Sequence, residues 1–214
     1  MAINRSDLIR SVVQLFLLAA AIAGVLYGRW SLSMVALATL ALSFAPLFVA
    51  RWVGIRLPGS FLTAIALFCF ATIFLGEVYD FYERYWWWDI ALHFGSAVSF
   101  GLFGFLFIFM LFEGNRYAAP PWAVAFLSYC VAVSVGASWE ILEFVMDQLF
   151  GLNMQKSGLV DTMYDLIVDT GGAALGGLTG FFYLKGKELG GLGGAIAEFV
   201  ALNMKIYSKI SRKR

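Results

Sequence analysis

The sequence predicts an all-α integral membrane bundle of six transmembrane helices, with the N- and C-termini both cytoplasmic. Three observations carry that prediction. Of 214 residues, 61% are hydrophobic and 14% charged, against about 45–50% and about 25% in soluble domains, and the mean hydropathy is +0.81. Six apolar runs approach the roughly 20 residues that a helix needs to cross the hydrocarbon core. Finally, the basic residues gather on one side of the topology those runs imply, as residues retained in the cytoplasm do.

The runs cover residues 11–28, 31–50, 59–79, 90–112, 121–148 and 162–184. The first follows Arg5 and Arg10 and ends in an alanine-rich stretch, so it mimics a secretory signal; with five more runs behind it, it reads as a retained span. Gly28-Arg29-Trp30 turns the chain into the second run. Arg51-Trp52 and Pro58-Gly59 separate the second from the third. Before the fourth run, Tyr79, Tyr82, Tyr85 and Trp86-Trp87-Trp88 form an aromatic belt of the kind found at membrane interfaces. Pro120-Pro121 opens the fifth run and Gly151-Leu152-Asn153 closes it. The sixth carries Gly172, Gly176 and Gly180, a small-residue stripe that lets helix backbones approach. Residues 1–185 thus form a six-span domain, and 186–214 form a glycine hinge followed by a basic amphipathic cytoplasmic tail suited to an anionic membrane surface.

Six spans put the N-terminus, the 2–3 and 4–5 connections and the C-terminus on one side. Of the 15 Lys and Arg, only Arg29, Arg84 and Lys156 fall on the other. That outer side collects the acids instead: Glu77, Asp80, Glu83, Asp89, Glu140, Glu143, Asp147, Asp161, Asp165 and Asp169, ten of the 14. His93, the single histidine, lies there too.

Asp89 and Asp161 stand where the fourth and sixth helices begin, and aspartate there caps free N–H groups and meets the positive end of the helix dipole. Asp165 and Asp169 lie one and two turns further in, about 12 Å below Asp161 for the latter at ~1.5 Å per residue; capping does not explain Asp169. In "WEILEFVMD", Glu140, Glu143 and Asp147 share one helical stripe. Carboxylates near a helix C-terminus oppose the dipole and repel one another, so this stripe needs a cation, protonation or a neighbouring helix. If the last three spans pack together, Asp89, His93, Glu140, Glu143, Asp165 and Asp169 line one outward-open pocket.

Ionisable residues inside a membrane are expensive and usually functional. Three uses fit: a divalent-cation site, a proton or cation relay, and a site for a lipid head group. Oxygen donors suit Mg²⁺, Ca²⁺ or Mn²⁺, and an imidazole admits Zn²⁺. In the metal reading Glu140, Glu143, Asp165 and Asp169 are oxygen ligands, His93 is a ligand or general base, and Asp89 orients it; Asp147 and Asp161 are further candidates. The plain alternative is a structural knot in which His93 and Arg84 neutralise two acids.

Other classes are poorly served. A net charge of +1 gives no basic excess for nucleic acid. Cys69 and Cys130 lie inside apolar runs and read as buried thiols, not as a disulfide or a metal pair. There is no His-rich box, G-x-S-x-G or Walker loop. The paired Glu-x-x-His of di-iron bundles is missing as well. Ser96 and Ser99 lie near His93 without any feature of a nucleophile, and no motif commits the chain to catalysis. The expected partners are membrane lipids, and a protein partner or second copy through the Gly172/Gly176/Gly180 face.

Three segments carry a resemblance: "WDIALHFGSAVSFG", "ASWEILEFVMDQLFG" and "NMQKSGLVDTMYDLIVDTGGAALGG". Together they resemble the successive motifs of the YjdF family of bacterial inner-membrane proteins. More distantly, D-x3-H, a glutamate near a helix end, and D-x3-D with G-A-x-x-G are similar to VanZ-like membrane proteins. The likeness covers about residues 75–185 and implies an inner-membrane location. It matches Asp89, His93, Glu140, Glu143, Asp161, Asp165 and Asp169 to motif positions. The VanZ-like part implies a link to envelope lipid or glycopeptide resistance, and the leading expectation is divalent-metal binding that serves a lipid or lipid-linked envelope substrate. A non-enzymatic subunit of a larger complex and a proton- or cation-coupled carrier stand as alternatives.

Overall fold

The computed structural model describes residues 4–187 and 190–207, and these form helices and connecting turns with no strand. They fall into two compact units that part between Trp88 and Asp89. Among the described residues, five helices are long and apolar enough to cross a membrane. Large apolar side chains such as Leu15, Phe48, Phe103, Phe126, Ile141 and Leu149 stand exposed along them. Soluble monomers rarely expose more than a few hundred Å² of contiguous apolar surface; a lipid-facing bundle does so throughout.

The first unit holds α1 (Arg5–Leu26), α2 (Trp30–Val53), α3 (Gly59–Cys69) with its π-helical continuation (Phe70–Val78), and the short α4 (Phe81–Arg84). Asn4 caps α1 by accepting the Ser6 N–H, and Gly54 ends α2 in the left-handed conformation, at φ 78°, that glycine adopts at no steric cost. Leu17, Ala21, Ala36 and Phe74 form the core. Polar groups within it are satisfied locally: the Ser33 hydroxyl donates to Ala21 O at 2.9 Å, and the Gln14 amide to Ser43 Oγ at 3.1 Å. The triple-tryptophan stretch packs partly on itself, with the Phe81 and Trp88 rings 4.9 Å apart and Trp87 against Trp88 at 5.5 Å.

In the second unit stand α5 (Trp88–Leu111), α6 (Pro121–Phe150), α7 (Leu159–Leu184) and α8 (Gly190–Leu202). Pro121 is the first residue of α6 and Gly151, with φ 65°, terminates it, the usual proline-in, glycine-out asymmetry. The glycine stripe of α7 lies against α5. A Cβ at Gly172 would meet Phe94 O at 2.6 Å, and one at Gly176 would meet Val98 O at 2.6 Å and Gly101 Cα at 2.8 Å; one at Gly180 would enter the Phe105 ring. Gly177 faces Ala125 O of α6 in the same way. Gly172, Gly176 and Gly180, the face expected to receive a protein partner or second copy, lie against α5 of the same chain.

The glycine cluster expected as a hinge is helical from Gly190 onward. Ile196, Phe199 and Val200 of α8 are buried. Beyond α8, Tyr207 is buried too: it stacks on Phe109 at 5.3 Å and donates its hydroxyl to Leu106 O at 3.1 Å. The start of the tail is thus docked on the bundle by one face. Its basic end, Lys209 to Arg214, lies outside the described residues.

Candidate functional site

The start of α5, the end of α6 and the first half of α7 bring the acids together. On α5, Asp89 and His93 are one turn apart, with His93 Nε2 3.8 Å from Asp89 Oδ1. The other ring nitrogen, Nδ1, lies closer to Asp169 of α7, at 3.3 Å from Oδ1. That contact is at ion-pair distance but poorly aligned, and Asp169 Oδ1 makes no hydrogen bond of full geometry. Asp165 stands one turn before Asp169 on the same face. Glu140 reaches the cluster from α6. Glu140 and Asp165 are each 4% exposed and Asp169 is 3% exposed, a depth at which carboxylates are almost never found unless paired.

Two sets of donors converge. One ligand atom each from His93, Glu140 and Asp165 lie within 4.8 Å of one another, and so do one each from Asp89, Asp161 and Asp165. Neither carboxylate oxygen of Glu140 has a hydrogen-bond partner; the Thr162 hydroxyl lies toward it without closing a bond of full geometry. Thr162 Oγ1 also accepts the Gln155 side-chain amide at 2.6 Å. Asp161 is the third residue of α7, whose N-cap position is Gly158, so it does not cap the helix. It still lies in the first turn, where the helix dipole favours a negative charge.

The α6 stripe divides by function. Glu140 enters the cluster. One turn on, Glu143 accepts the Trp139 indole N–H at 2.9 Å and belongs to neither donor set. Asp147 turns to the α6–α7 connection, where its two oxygens accept the backbone N–H groups of Met154 (2.8 Å) and Gln155 (3.0 Å). A carboxylate spread over two successive N–H groups organises a loop. The hydroxyls of Ser96 and Ser99 donate to His93 O and Gly95 O of their own helix and form no nucleophile pair with the imidazole.

Two residues of the site carry no mark in the sequence reading. Lys156, counted there only as an outer base, reaches from the α6–α7 connection to place Nζ 3.1 Å from Asp89 Oδ2. Gly136, one turn before Glu140 on the same stripe, makes room for Asp169: a Cβ there would fall on Asp169 Oδ2 and within 3.0 Å of its Cγ. The signal for Gly136 was its i−4 spacing from Glu140, which puts it on the acidic face. The signal for Lys156 was its rarity on that side.

The family model whose description is "Predicted membrane protein (DUF2238)" matches residues 8–186. A curated relative, an uncharacterised protein of Thermotoga maritima, is 34% identical over 95 residues, which is 44% of this chain and 48% of the relative. The chain thus spans about half the length of the curated relative it matches. No solved structure matches it.

Proposed function

The chain belongs to the DUF2238 family of predicted membrane proteins, and from that premise we propose a six-span protein of the bacterial inner membrane that binds a divalent cation between α5, α6 and α7 and serves a lipid or lipid-linked envelope substrate. The observation that carries this reading is Glu140. It is buried, both its oxygens lack a hydrogen-bond partner, and it converges with His93 and Asp165. Leaving a buried carboxylate without a partner costs several kcal/mol by general experience. A cation removes that cost. Hard cations hold oxygen ligands at roughly 2.0–2.6 Å, so donors on opposite sides of one ion stand about 4–5 Å apart, which the 4.8 Å set satisfies.

The donor chemistry favours Mn²⁺ or Zn²⁺ over Mg²⁺ and Ca²⁺, because an imidazole joins the carboxylates. Asp169 beside Nδ1 suits the carboxylate that orients a ligating histidine and leaves Nε2 for the ion. Its 3.3 Å approach makes it a better orienting group than Asp89, which stands 3.8 Å from Nε2 and pairs with Lys156.

A bound cation also accounts for α7 as the sixth span. Its 26 residues reach about 39 Å at ~1.5 Å per residue, but Asp161, Asp165 and Asp169 burden its first half. Neutralised, that half becomes compatible with the membrane. Six spans and the distribution of Lys and Arg support cytoplasmic termini and a cluster that opens outward at head-group depth. The YjdF-like motifs agree with the inner-membrane location, and the VanZ-like order of acids supports the lipid-linked substrate.

Elemental analysis of full-length protein purified without chelator tests the reading. The expected result is a stoichiometric divalent metal that EDTA removes together with thermal stability, and that Asp165→Asn protein lacks. Metal-free wild-type protein whose stability ignores EDTA sinks it, and leaves the non-enzymatic subunit as the better account.

A further inference from the structure

We propose that the cluster is a two-cation centre in which Asp165 is the shared carboxylate. The proposal rests on the cation reading above and extends it to the neighbouring donors. The two converging sets, His93 with Glu140 and Asp165, and Asp89 with Asp161 and Asp165, have Asp165 in common. A carboxylate offers two oxygens and about four lone-pair sites, so one residue can give an oxygen to each of two ions. Paired ions in such centres stand about 3.5–4 Å apart, a separation that a single bridging carboxylate spans.

Charge supplies the independent argument. Five carboxylates meet here: Asp89, Glu140, Asp161, Asp165 and Asp169. Lys156 is the fixed cation among them, 3.1 Å from Asp89, and a ligating imidazole is neutral. After the ammonium is counted, four negative charges remain. One divalent ion leaves two of them uncompensated at positions where Asp165 and Asp169 are 4% and 3% exposed. Two divalent ions leave none. Burying uncompensated charge is the larger cost in a low-dielectric site, so with all five carboxylates ionised the pair is the composition that balances.

The two subsites differ in kind. The inner one has an imidazole and Glu140, whose oxygens no protein donor satisfies. The outer one has only carboxylates, one of them already paired with Lys156. The inner ion is therefore the tighter of the two, and an all-oxygen outer set takes a hard ion such as Mg²⁺ or Mn²⁺.

The test uses full-length protein in lipid nanodiscs, stripped with chelator and reloaded with Mn²⁺, read by elemental analysis and by electron paramagnetic resonance. Two Mn²⁺ per chain with a spin-coupled spectrum are expected. Asp161→Asn should fall to one uncoupled ion, and Asp89→Asn gives a second route to the same result should Asp161→Asn not fold. Wild-type protein that saturates at one uncoupled Mn²⁺ overturns the two-cation centre and leaves the single-cation site standing. Protein that binds none overturns both. Two coupled ions retained in both Asp161→Asn and Asp89→Asn overturn the assignment of the outer subsite.

Discussion

Replacing Glu140 with glutamine keeps the shape of the side chain and removes one negative charge from a position 4% exposed. The sign of its effect depends on whether a cation is present. Without one, the carboxylate has two unsatisfied oxygens and acids for neighbours. Removing a buried charge that has no compensating partner relieves a desolvation cost, so the substitution is neutral or stabilising there. With the cation bound the substitution removes a direct ligand. Loss of a merely orienting partner costs about 10–100-fold in metal affinity, so about 100-fold is a modest figure for a ligand. A cation at ~100 times its Kd stabilises wild-type protein by about 2.7 kcal/mol; at a Kd ~100-fold weaker, the same concentration yields about 0.4 kcal/mol. Thermal unfolding followed by tryptophan fluorescence, in detergent with EDTA or with Mn²⁺, reads both arms. The Glu140→Gln protein should match or exceed wild type in EDTA and fall about 2 kcal/mol short in its response to Mn²⁺. Equal Mn²⁺ responses in the two proteins would refute the argument, as would a loss of stability in EDTA as large as that in Mn²⁺.

Three other substitutions probe the parts around it. Gly136→Ala drives a methyl group into the Asp169 carboxylate and should weaken Mn²⁺ binding by about 10–100-fold by displacing the group that orients His93. Gly95→Ala, where a Cβ meets nothing within 4 Å, is the control and should bind as wild type; equal binding by both variants removes Asp169 from the site. Gly176→Ala places a Cβ 2.6 Å from Val98 O and 2.8 Å from Gly101 Cα, backbone that cannot yield cheaply, and should cost about 1–3 kcal/mol in a thermal melt. A change below ~0.5 kcal/mol, the range of ordinary surface substitutions, contradicts the close α5–α7 contact. Asp147→Ala strands the N–H groups of Met154 and Gln155. It should cost about 1–3 kcal/mol and speed hydrogen exchange at those two amides while leaving metal content unchanged; lost metal would place Asp147 among the ligands.

The helices were the legible part of the sequence. Apolar runs bounded by Gly-Arg-Trp, Pro-Gly and Pro-Pro give length and hydropathy directly, and α6 begins at Pro121 as expected. The acidic face was legible as a face. Its division was not: Glu140, Glu143 and Asp147 share one stripe by period, yet one is buried among acids, one takes an indole N–H, and one holds a loop. Periodicity reports azimuth on a single helix, whereas these fates depend on what the neighbouring helix or loop presents at each depth. The glycine stripe shows the same limit. Small residues at fixed spacing declare a close contact, and Ala97 and Gly101 of α5, which meet Gly172 and Gly176, share the same four-residue spacing, but spacing alone does not pair one helix with another. Lys156 was marked only by its rarity on the outer side, and its pairing with Asp89 was not legible because it crosses 67 positions of sequence.

The donors of the cluster also arrive in a fixed temporal order, since α5, α6 and α7 follow one another along the chain. A ribosome delivers Asp89 and His93 first, then Glu140, and Asp161, Asp165 and Asp169 only with the last long helix. Until α7 emerges, Glu140 has no Asp165 beside it and neither set of converging donors is complete. The eight residues between Phe150 and Leu159, held by Asp147, let α7 fold back on α6 as soon as it is made. The convergence of donors thus arrives with the last long helix, so a product truncated before Leu159 would keep Asp89, His93 and Glu140 and lack every acid of α7.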